Sequence, residues 1–299
     1  MTLPNFDQLH RRADATPEPV PVVVAGAADR TVLEALRVAT DRGWVSATLA
    51  GPGRAIRETA GSLGMSLAGF RLLDADETDP AGAAVAEVRG GRARLLVKGQ
   101  VATPVLMRAV LDPELGIRSG RVVCQVVLME VARGDRRFLM ADTGICIKPK
   151  LPTKVDIVRH AVEVARALGV DRPRVALMAA SESVNVSMPE TVDAAELTRR
   201  GGGGEFAPAS IQGPLSFDLA YSADAGGKKK VEGEVVGAAE VLIFPDLLSA
   251  NLTVKAIMYT ADCRFGGVLR GTTAPVAFMS RADTPETRLN SLALALTLL

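Results

Sequence analysis

Histidine, cysteine and aromatic side chains are scarce in this chain, and their scarcity narrows the chemistry open to it. Two histidines in 299 residues give little material for a Ser-His-Asp triad or a histidine-rich metal site. The three cysteines are scattered, odd in number and without metal-type spacing, which favours a reducing cytoplasm. Cys124 and Cys146 have no histidine or second cysteine spaced to activate them, so we expect buried fillers rather than nucleophiles. Catalysis is therefore expected from Ser, Thr, Asp, Glu, Lys and Arg side chains and from backbone amides.

The chain also lacks an excess of one charge and lacks long apolar runs. Its 35 Lys and Arg residues nearly balance 34 Asp and Glu residues, which argues against a general surface for nucleic acid or anionic membrane. Aromatic residues make up only 4%, so there is little material for stacking bases. No apolar run approaches the roughly 18–20 residues that span a bilayer, and residues 1–21 contain no signal-peptide core. We therefore expect a cytoplasmic protein with neither nucleic acid nor membrane as partner.

What the sequence does contain is a regular alternation of short β-branched runs with amphipathic stretches. This alternation predicts an α/β protein with mainly parallel sheets covered on both faces. It further suggests two such lobes with a cleft between them, where ligands would gather at the carboxyl ends of strands. Strands are predicted at 21–25, 45–50, 70–73, 94–97, 122–131, 137–143, 174–179, 209–212, 239–244, 267–269 and 275–279, with helices at 29–41, 54–63, 80–89, 104–111, 189–199, 215–223 and 247–261 and after 284. The 122–131 and 137–143 runs are alternatively an antiparallel hairpin.

The lobe boundary is predicted at Lys148–Pro152, where two prolines interrupt regular structure. This boundary gives a first lobe over residues 1–147 and a second over residues 148–282. Thr153 is expected to cap the next helix, with Asp156 completing a capping box. The four-glycine run at 201–204 is expected to be a flexible surface connection.

The most informative stretch for chemistry begins where the last predicted strand ends. Ser280 and Arg281 follow that strand, and Thr284 marks the start of the final helix. A hydroxyl, a guanidinium and free backbone N–H groups at this point are the parts of a phosphate site. The alternative is that Arg281 pairs with Asp283 or Glu286 on the surface while Ser280 only caps.

Two other strand ends carry candidate binding residues. After the 94–97 strand, Lys98 supplies a cation, Gly99 permits close approach to the backbone, and Thr103 is placed to cap a helix. The alternative is a solvated lysine before a turn. After the 239–244 strand, the candidates are Asp246, Asn251 and Lys255, of which Asp246 is alternatively a plain helix cap.

Taken together, these stretches resemble the phosphate acetyl/butyryltransferase family, and the butyryl branch more than the acetyl branch. The order and spacing of many pieces from about Leu95 onward carry the resemblance. They include LLVKGQVATPVLMRAVL (95–111), LMADTGICIKP (139–149), SVNVSMPETVDAAEL (183–197), GAAEVLIFPDL (237–247) and APVAFMSRADTPETRLNSLALAL (274–296).

The resemblance implies a fold like that of isocitrate and isopropylmalate dehydrogenases, a homodimer, and no cofactor besides coenzyme A as a substrate. It implies that the last helix, within residues 283–299, joins the first lobe. It also implies exchange of a short acyl group between CoA and phosphate, with Ser280 and Arg281 binding the phosphoryl group. The aspartate that the acetyl branch places six residues after its arginine falls on Thr287, so a carboxylate base would have to be Asp283 or Glu286.

Two alternatives to this enzyme are considered. A metal- and NAD-dependent hydroxyacid dehydrogenase shares the lobes but needs a group of aspartates, which the sequence does not show near the cleft. A diverged relative that binds CoA or an acyl phosphate as a sensor or subunit stays open. The residues that favour this second alternative are Gln125, Gln212 and Ala250, which replace a histidine, an aspartate and a glycine of the family pattern.

Overall fold

The computed structural model describes residues 2–76 and 79–299. By its internal contacts the chain divides into two compact units. The central unit consists of Met1–Asn5 and Val122–Arg264, and the terminal unit consists of Phe6–Arg121 and Phe265–Leu299. The position 147/148, predicted as the lobe boundary, lies within the Val122–Arg264 segment of the central unit. The lobes predicted from the sequence are not defined by the same criterion as these units, and their limits stay a prediction.

The terminal unit contains a mainly parallel sheet. Its strands are β1 (Val20–Ala25), β2 (Val45–Gly51), β3 (Arg71–Asp74), β4 (Leu95–Lys98), β10 (Cys263–Arg270, mostly in this unit) and β11 (Val276–Ala277). They lie in the order β3-β2-β1-β4-β11-β10, parallel except for the antiparallel pair of β10 and β11. Strands this rich in buried Val, Leu and Ala are typical of parallel sheets covered on both faces.

The helices of the terminal unit are α1 (Phe6–Asp14), α2 (Arg30–Asp41), α3 (Gly53–Ser62), α4 (Pro80–Arg89), α5 (Thr103–Leu111) and α11 (Pro285–Leu296). The last of these, α11, packs against α1, α2 and β11. Its residues from Thr287 to Ala295 are all buried, so this helix is enclosed by neighbours rather than laid on a surface. The site-bearing turn before α11 is therefore anchored at both ends, by β11 and by the core.

The strands of the central unit lie in the order β5-β6-β9-β7-β8. The strands are β5 (Cys124–Val131), β6 (Arg136–Ala141), β7 (Arg174–Met178), β8 (Ser210–Leu215) and β9 (Val241–Ile243). Strands β6, β9, β7 and β8 are parallel, whereas β5 and β6 form an antiparallel hairpin. The hairpin alternative for these two runs is thus confirmed. The helices are α6 (Leu151–Ala167), α7 (Pro189–Gly202), α8 (Phe217–Tyr221), α9 (Ala223–Lys229) and α10 (Leu247–Thr260).

The predicted alternation of strands and helices is confirmed along the chain, and the α/β class with mainly parallel sheets is correct. Two of the described helices were not predicted. One is α1, which forms within the polar N-terminal stretch, where Phe6, Leu9 and Ala13 supply a narrow buried stripe. The other is α9, which begins where the helix predicted over 215–223 was to end, because Ser222 adopts an extended conformation and caps it.

Three local predictions are wrong. Helix α6 begins at Leu151, so Thr153 lies inside it, and Asp156 accepts the backbone N–H of Val122 instead of completing a capping box. Gly201 and Gly202 belong to the end of α7 rather than to a flexible connection. Thr103 is the first residue of α5 and does not cap it, since the cap position is Ala102. The described helices include none that is both long and apolar enough to cross a membrane.

Candidate active site

Two neighbouring parallel strands bring the most informative residues of the sequence together. In the terminal unit β4 pairs with β11, with Leu96 opposite Val276 and Val97 opposite Ala277. The carboxyl ends of the two strands therefore lie side by side, as expected for parallel neighbours. Lys98 ends β4, and its Nζ lies 5.7 Å from the centre of the Phe278 ring, just after β11.

Lys98 is an unusual lysine because it is almost fully buried, with 1% of its surface exposed. In the described part of the chain, no hydrogen bond or ion pair reaches its Nζ, and its one polar contact is the face of Phe278. The pKa of Lys98 is lowered to about 8, first by burial and then by the neighbouring charges of Arg288 and Arg281, whereas the charge of Asp283 opposes them. Because no described anion contacts this buried ammonium group, an incoming anion would stabilise it.

The turn after β11 is closed by Asp283. The buried carboxylate of Asp283 accepts the backbone N–H of Ser280 at 2.7 Å, and the N–H of Asp283 donates to the Ser280 carbonyl at 3.3 Å. The Ser280 hydroxyl accepts the N–H of Ala282 at 3.3 Å. Three backbone N–H groups, those of Ser280, Ala282 and Asp283, are therefore already used within the turn. Binding of an anion by the remaining N–H groups stays a prediction.

Arg281 stands on the outside of this turn with an exposed guanidinium. Among the residues that the structure describes, no carboxylate forms an ion pair with it, so its predicted surface pairing with Asp283 or Glu286 is absent. Glu286 is exposed in the first turn of α11, whose start is capped by the Thr284 hydroxyl at 3.2 Å from the Thr287 nitrogen, as predicted. The turn thus presents one cation to solvent above a second, buried one.

Arg288 belongs to the same cluster and was missed by the sequence reasoning. It is buried, and burial lowers its pKa against the opposing charges of Asp29 and Asp283. Its Nε donates to the Thr31 hydroxyl at 2.8 Å, and its terminal nitrogens lie 3.4–3.5 Å from the carbonyl oxygens of Ser280, Arg281 and Lys98. The available signal was an arginine on the apolar face of the last helix, one position before Leu289.

Gly99 lies beside this cluster for a reason of backbone packing. A Cβ at Gly99 would come within 2.3 Å of the Gly26 carbonyl oxygen and 2.7 Å of the Ala25 carbonyl oxygen. The close approach that requires glycine is therefore that of the end of β1. Thr103 is half-buried in the first turn of α5, and its predicted contact with substrate stays a prediction, as does that of Gly99.

The central unit contains a cavity of about 820 Å³ at the carboxyl ends of β7 and β9. Its volume lies within the range of small-molecule sites. Its wall is largely apolar, and the buried Lys154 forms an ion pair with the half-buried Asp193 at 2.7 Å. Apolar lining is supplied by Leu151, Met178, Phe217, Phe244 and Pro245, with Lys148 and Lys150 beside them.

The three candidates of the central unit have different positions. Asp246 lines the cavity and caps α10, because its Oδ1 accepts the backbone N–H of Ser249 at 2.8 Å. The plain-cap alternative is thus confirmed for Asp246, while a contact with substrate stays a prediction. The Asn251 amide donates to the Thr143 carbonyl at 3.1 Å, which gives it a structural partner. Lys255 is exposed on α10.

Of the two cysteines predicted to be buried fillers, Cys124 is buried, whereas Cys146 is partly exposed. Asp142, which follows the end of β6, accepts the backbone N–H groups of Gln125, Gly144, Ile145 and Cys146 at 2.8–3.2 Å. Burial raises the pKa of the Cys146 thiol, and the Asp142 charge raises it further. Since the thiolate is the reactive form, Cys146 is a poor nucleophile. The described residues contain no group of three or more His, Cys, Asp or Glu side chains arranged for a metal ion.

Comparisons with known sequences identify relatives over most of the chain. A family model described as phosphate acetyl/butaryl transferase matches residues 77–296. A phosphate butyryltransferase of Clostridium acetobutylicum is 38% identical over 275 residues, covering 92% of this chain and 91% of that protein. A phosphate acetyltransferase of Thermotoga maritima is 33% identical over 274 residues, covering 92% of this chain and 93% of that protein.

Comparisons of structure agree with the comparisons of sequence. A branched-chain phosphotransacylase from Enterococcus faecalis V583 matches with a TM-score of 0.82 at 28% identity, covering 93% of this chain and 98% of that one. A putative 4-hydroxythreonine-4-phosphate dehydrogenase from Salmonella typhimurium matches with a TM-score of 0.54 at 10% identity, covering 94% and 100%, a likeness of fold alone. The predicted dehydrogenase-like fold is thereby confirmed. The chain belongs to the phosphate acetyl/butyryl transferase family of acyltransferases, as the resemblance in its sequence predicted.

Proposed function

We propose that this protein exchanges a short acyl group between coenzyme A and inorganic phosphate, with phosphate or the acyl phosphate bound in the terminal unit. The observation that supports this most is the pair of Lys98 and Arg281. Among the described residues, the buried Lys98 has no anionic hydrogen-bond partner and the exposed Arg281 has no ion pair, and the carboxylate of Asp283 acts on Lys98 against two arginine charges. A phosphate dianion would neutralise this excess of positive charge.

The cavity of the central unit suits the apolar portions of CoA and of the acyl group. Phe217, Phe244 and Met178 supply apolar surface, and Lys148 and Lys150 can contact anionic parts of a large substrate. A short acyl chain of the butyryl type is favoured by the 38% identity to a phosphate butyryltransferase. Asp246 and Ser249 provide hydrogen-bonding groups in the same wall.

The chemistry proposed is direct attack of one substrate on the other. In the direction of CoA acylation, the thiolate sulfur forms a bond to the carbonyl carbon, and the C–O bond to phosphate breaks with its electron pair leaving on phosphate. Arg281 and Lys98 would stabilise the negative charge on the leaving group, and the Ser280 hydroxyl would hold one of its oxygens. Such stabilisation is strongest in a desolvated site, which the burial of Lys98 supports.

The thiol proton needs an acceptor. Asp283 already accepts the Ser280 N–H inside the turn, which ties its carboxylate to the backbone. Glu286 is the exposed carboxylate of the first turn of α11. We therefore assign Glu286 as the general base of this proposal, with Asp283 as the organiser of the turn.

A homodimer is part of the proposal and is supported by α10. This 14-residue helix is strongly apolar, yet only Ala250 and Val254 are buried. Leu248, Leu252 and Tyr259 lie on one helical face and are 69%, 60% and 78% exposed. A Leu252→Asp variant should sediment as a monomer if a second copy covers this face. An unchanged sedimentation coefficient would remove α10 from the interface.

A cytoplasmic location is also part of the proposal, in keeping with three cysteines that form no disulfide.

One assay separates the enzyme from the sensor alternative. Purified protein is incubated with acetyl-, butyryl-, isobutyryl- and hexanoyl-CoA, with and without phosphate, and release of the CoA thiol is followed. The proposal expects phosphate-dependent release that is fastest for a four- or five-carbon chain. If CoA binds by calorimetry but no chain gives phosphate-dependent release, the sensor reading replaces the enzyme. Formation of acyl phosphate, trapped with hydroxylamine, checks that phosphate rather than water is the acceptor.

A further inference from the structure

Arg288 is the most deeply buried arginine of the cluster around the proposed phosphate site. It lies in the first part of α11 and is 3% exposed. A guanidinium offers five N–H donors and keeps its charge under all ordinary conditions. Burying such a group costs several kcal/mol, on the order of magnitude known for ions, unless hydrogen bonds and charges compensate. The position therefore calls for an account of what Arg288 does.

The first contact of Arg288 leads away from the site. Its Nε donates to the Thr31 hydroxyl at 2.8 Å, and that hydroxyl donates in turn to the Asp29 carboxylate at 2.6 Å. Asp29 also caps α2 by accepting the backbone N–H of Val32 at 3.1 Å. Within the described residues Arg288 forms no direct ion pair, so its charge is balanced through a hydroxyl rather than by a carboxylate at contact distance.

The remaining contacts lead to the site. One terminal nitrogen lies 3.4 Å from the Ser280 carbonyl oxygen and 3.5 Å from the Arg281 carbonyl oxygen. The other lies 3.5 Å from the Lys98 carbonyl oxygen. These distances are at the long limit for hydrogen bonds, so each is weak. Together they tie the backbone of all three proposed phosphate ligands to one rigid, planar group.

We propose that Arg288 is a positioning residue for the phosphate half-reaction, holding the Ser280–Arg281 turn and the end of β4 in the arrangement that receives the phosphoryl group. This inference rests on the proposed function. Arg288 is assigned a positioning role rather than contact with substrate because its guanidinium nitrogens are directed at the Thr31 hydroxyl and at the three carbonyl oxygens. Its fork-shaped donors are what the role requires, since they reach two successive carbonyls and a neighbouring strand at once.

Arg288 has a second effect that a purely structural side chain would lack. Its charge is one of the causes that lower the pKa of Lys98, after burial. Removing the charge should raise the pKa of Lys98 and move the loss of phosphate binding to higher pH. Replacing Arg288 by lysine should keep the charge near Lys98 while losing the fork. The two substitutions therefore separate charge from geometry.

The test uses Arg288→Lys and Arg288→Met in the full-length enzyme. With phosphate varied, Arg288→Met should lose about 100-fold in kcat/KM, the loss expected when reacting groups are displaced by about 1 Å. Arg288→Lys should lose about tenfold, while KM for acyl-CoA stays within about twofold in both. The alkaline limb of the pH profile for phosphate should move upward in Arg288→Met and stay in place in Arg288→Lys. Thermal unfolding tests whether each variant is folded. If Arg288→Met does not fold, the kinetics of Arg288→Lys alone decide whether the proposal holds.

Arg174→Met is the matched control. Arg174 is also an arginine held by a network, paired with Glu240 in the central unit, and its loss should lower Tm without changing phosphate kinetics. If Arg288→Met and Arg288→Lys lower Tm but leave kcat/KM for phosphate and its pH limb unchanged, Arg288 is structural and the inference is overturned. Arg281→Ala is assayed in parallel. If Arg281→Ala also leaves phosphate kinetics unchanged, the failure lies in the proposed phosphate site itself.

Discussion

Lys98 of the terminal unit and Lys154 of the central unit are both buried lysines, and they differ in their partners. Lys154 donates to the Asp193 carboxylate at 2.7 Å and lines the cavity of its own unit. Lys98 lies at the end of β4 over the Phe278 ring, and no described carboxylate contacts its Nζ. The difference shows that two buried lysines can have different roles. Lys154 is already neutralised by a carboxylate and stabilises the fold, whereas Lys98 can gain most from an incoming anion.

The two regions also differ in what surrounds the lysine. The cavity around Lys154 combines apolar side chains with lysines and carboxylates in similar number, which suits a large substrate of mixed polarity. The charges that act on Lys98 are those of Arg281 and Arg288 and of the carboxylate Asp283. An acyl transfer between CoA and phosphate needs one region of each kind, because one substrate is long and amphipathic and the other is a small anion.

The largest effect is expected from Arg281→Ala. Loss of the exposed guanidinium should lower kcat/KM for phosphate by about 100- to 1,000-fold, as for other preorganised groups that stabilise transition-state charge. Tm should not change, because Arg281 is exposed and has no ion pair in the described chain. Arg54→Ala, on the exposed face of α3, is the control and should keep full activity. Near-normal turnover by Arg281→Ala would contradict the assignment of the phosphate site to the Lys98 region.

A smaller but more telling effect is expected from Lys98→Met, which keeps the side-chain length and removes the charge. KM for phosphate should rise by about tenfold to 100-fold at pH 7. In the wild type, KM for phosphate should rise as pH passes above about 8, because Lys98 then loses its proton. In Lys98→Met this alkaline rise should be missing. A wild-type KM that stays flat from pH 7 to 9.5 would contradict a role for this charge.

The stability of the two lysine variants should shift in opposite directions. The folded-state pKa of Lys98 is lowered from 10.5 to about 8, so between these values the unfolded chain binds a proton that the folded chain does not. The charged Lys98 therefore destabilises the ligand-free protein, and this destabilisation is complete below about pH 8. As pH rises from about 8 toward 10.5, the free energy of unfolding increases again. Lys98→Met should raise Tm at pH 7, whereas Lys154→Met should lower it by removing the partner of the half-buried Asp193, at a cost of about 1 kcal/mol. Calorimetry without phosphate tests both signs, and a lower Tm for Lys98→Met would show that its charge is compensated.

The smallest effect is expected from Phe217→Ala in the cavity. Phe217 is 37% exposed, lines the cavity and stacks on Tyr221 at 5.7 Å. Its truncation should weaken acyl-CoA binding by about tenfold and leave KM for phosphate unchanged. Val38→Ala, an equally exposed apolar residue of α2, is the matched control. If Phe217→Ala changes phosphate kinetics as much as acyl-CoA binding, the division of labour between the two regions is wrong.

The fold was largely predictable because its signals are local. Short Val- and Leu-rich runs and capping residues such as Asp29, Asp246 and Thr284 mark strand and helix limits within a few residues. Helix α1 escaped because its buried face is only three residues wide. The fourteen residues of α10 have the composition of an ordinary apolar helix, which did not reveal that only Ala250 and Val254 are buried.

The candidate site was predictable only where its residues adjoin strand ends. Lys98, Ser280 and Arg281 follow β4 and β11, and parallel pairing brings those ends together. Arg288 could not be found in this way, because its importance comes from carbonyl groups far away in sequence. The burial of Lys98 was equally hidden, since it depends on the ring of Phe278 and on the packing of α11. The hydrogen bond that occupies the Ser280 N–H depends on the side-chain rotamer of Asp283, which the sequence does not specify.

The chain order of the terminal unit has a consequence for biosynthesis. Strand β4 emerges from the ribosome long before β11 and α11, which belong to residues 265–299 yet complete the same sheet and core. Until those last residues are made, the edge of β4 is unpaired, and Lys98 has neither its aromatic neighbour nor its arginines. The central unit is synthesised in between and can fold first, since domains generally fold as units. A chain that lacks residues 265–299 would therefore have no phosphate site, and competence for phosphate would appear only after those residues have been made.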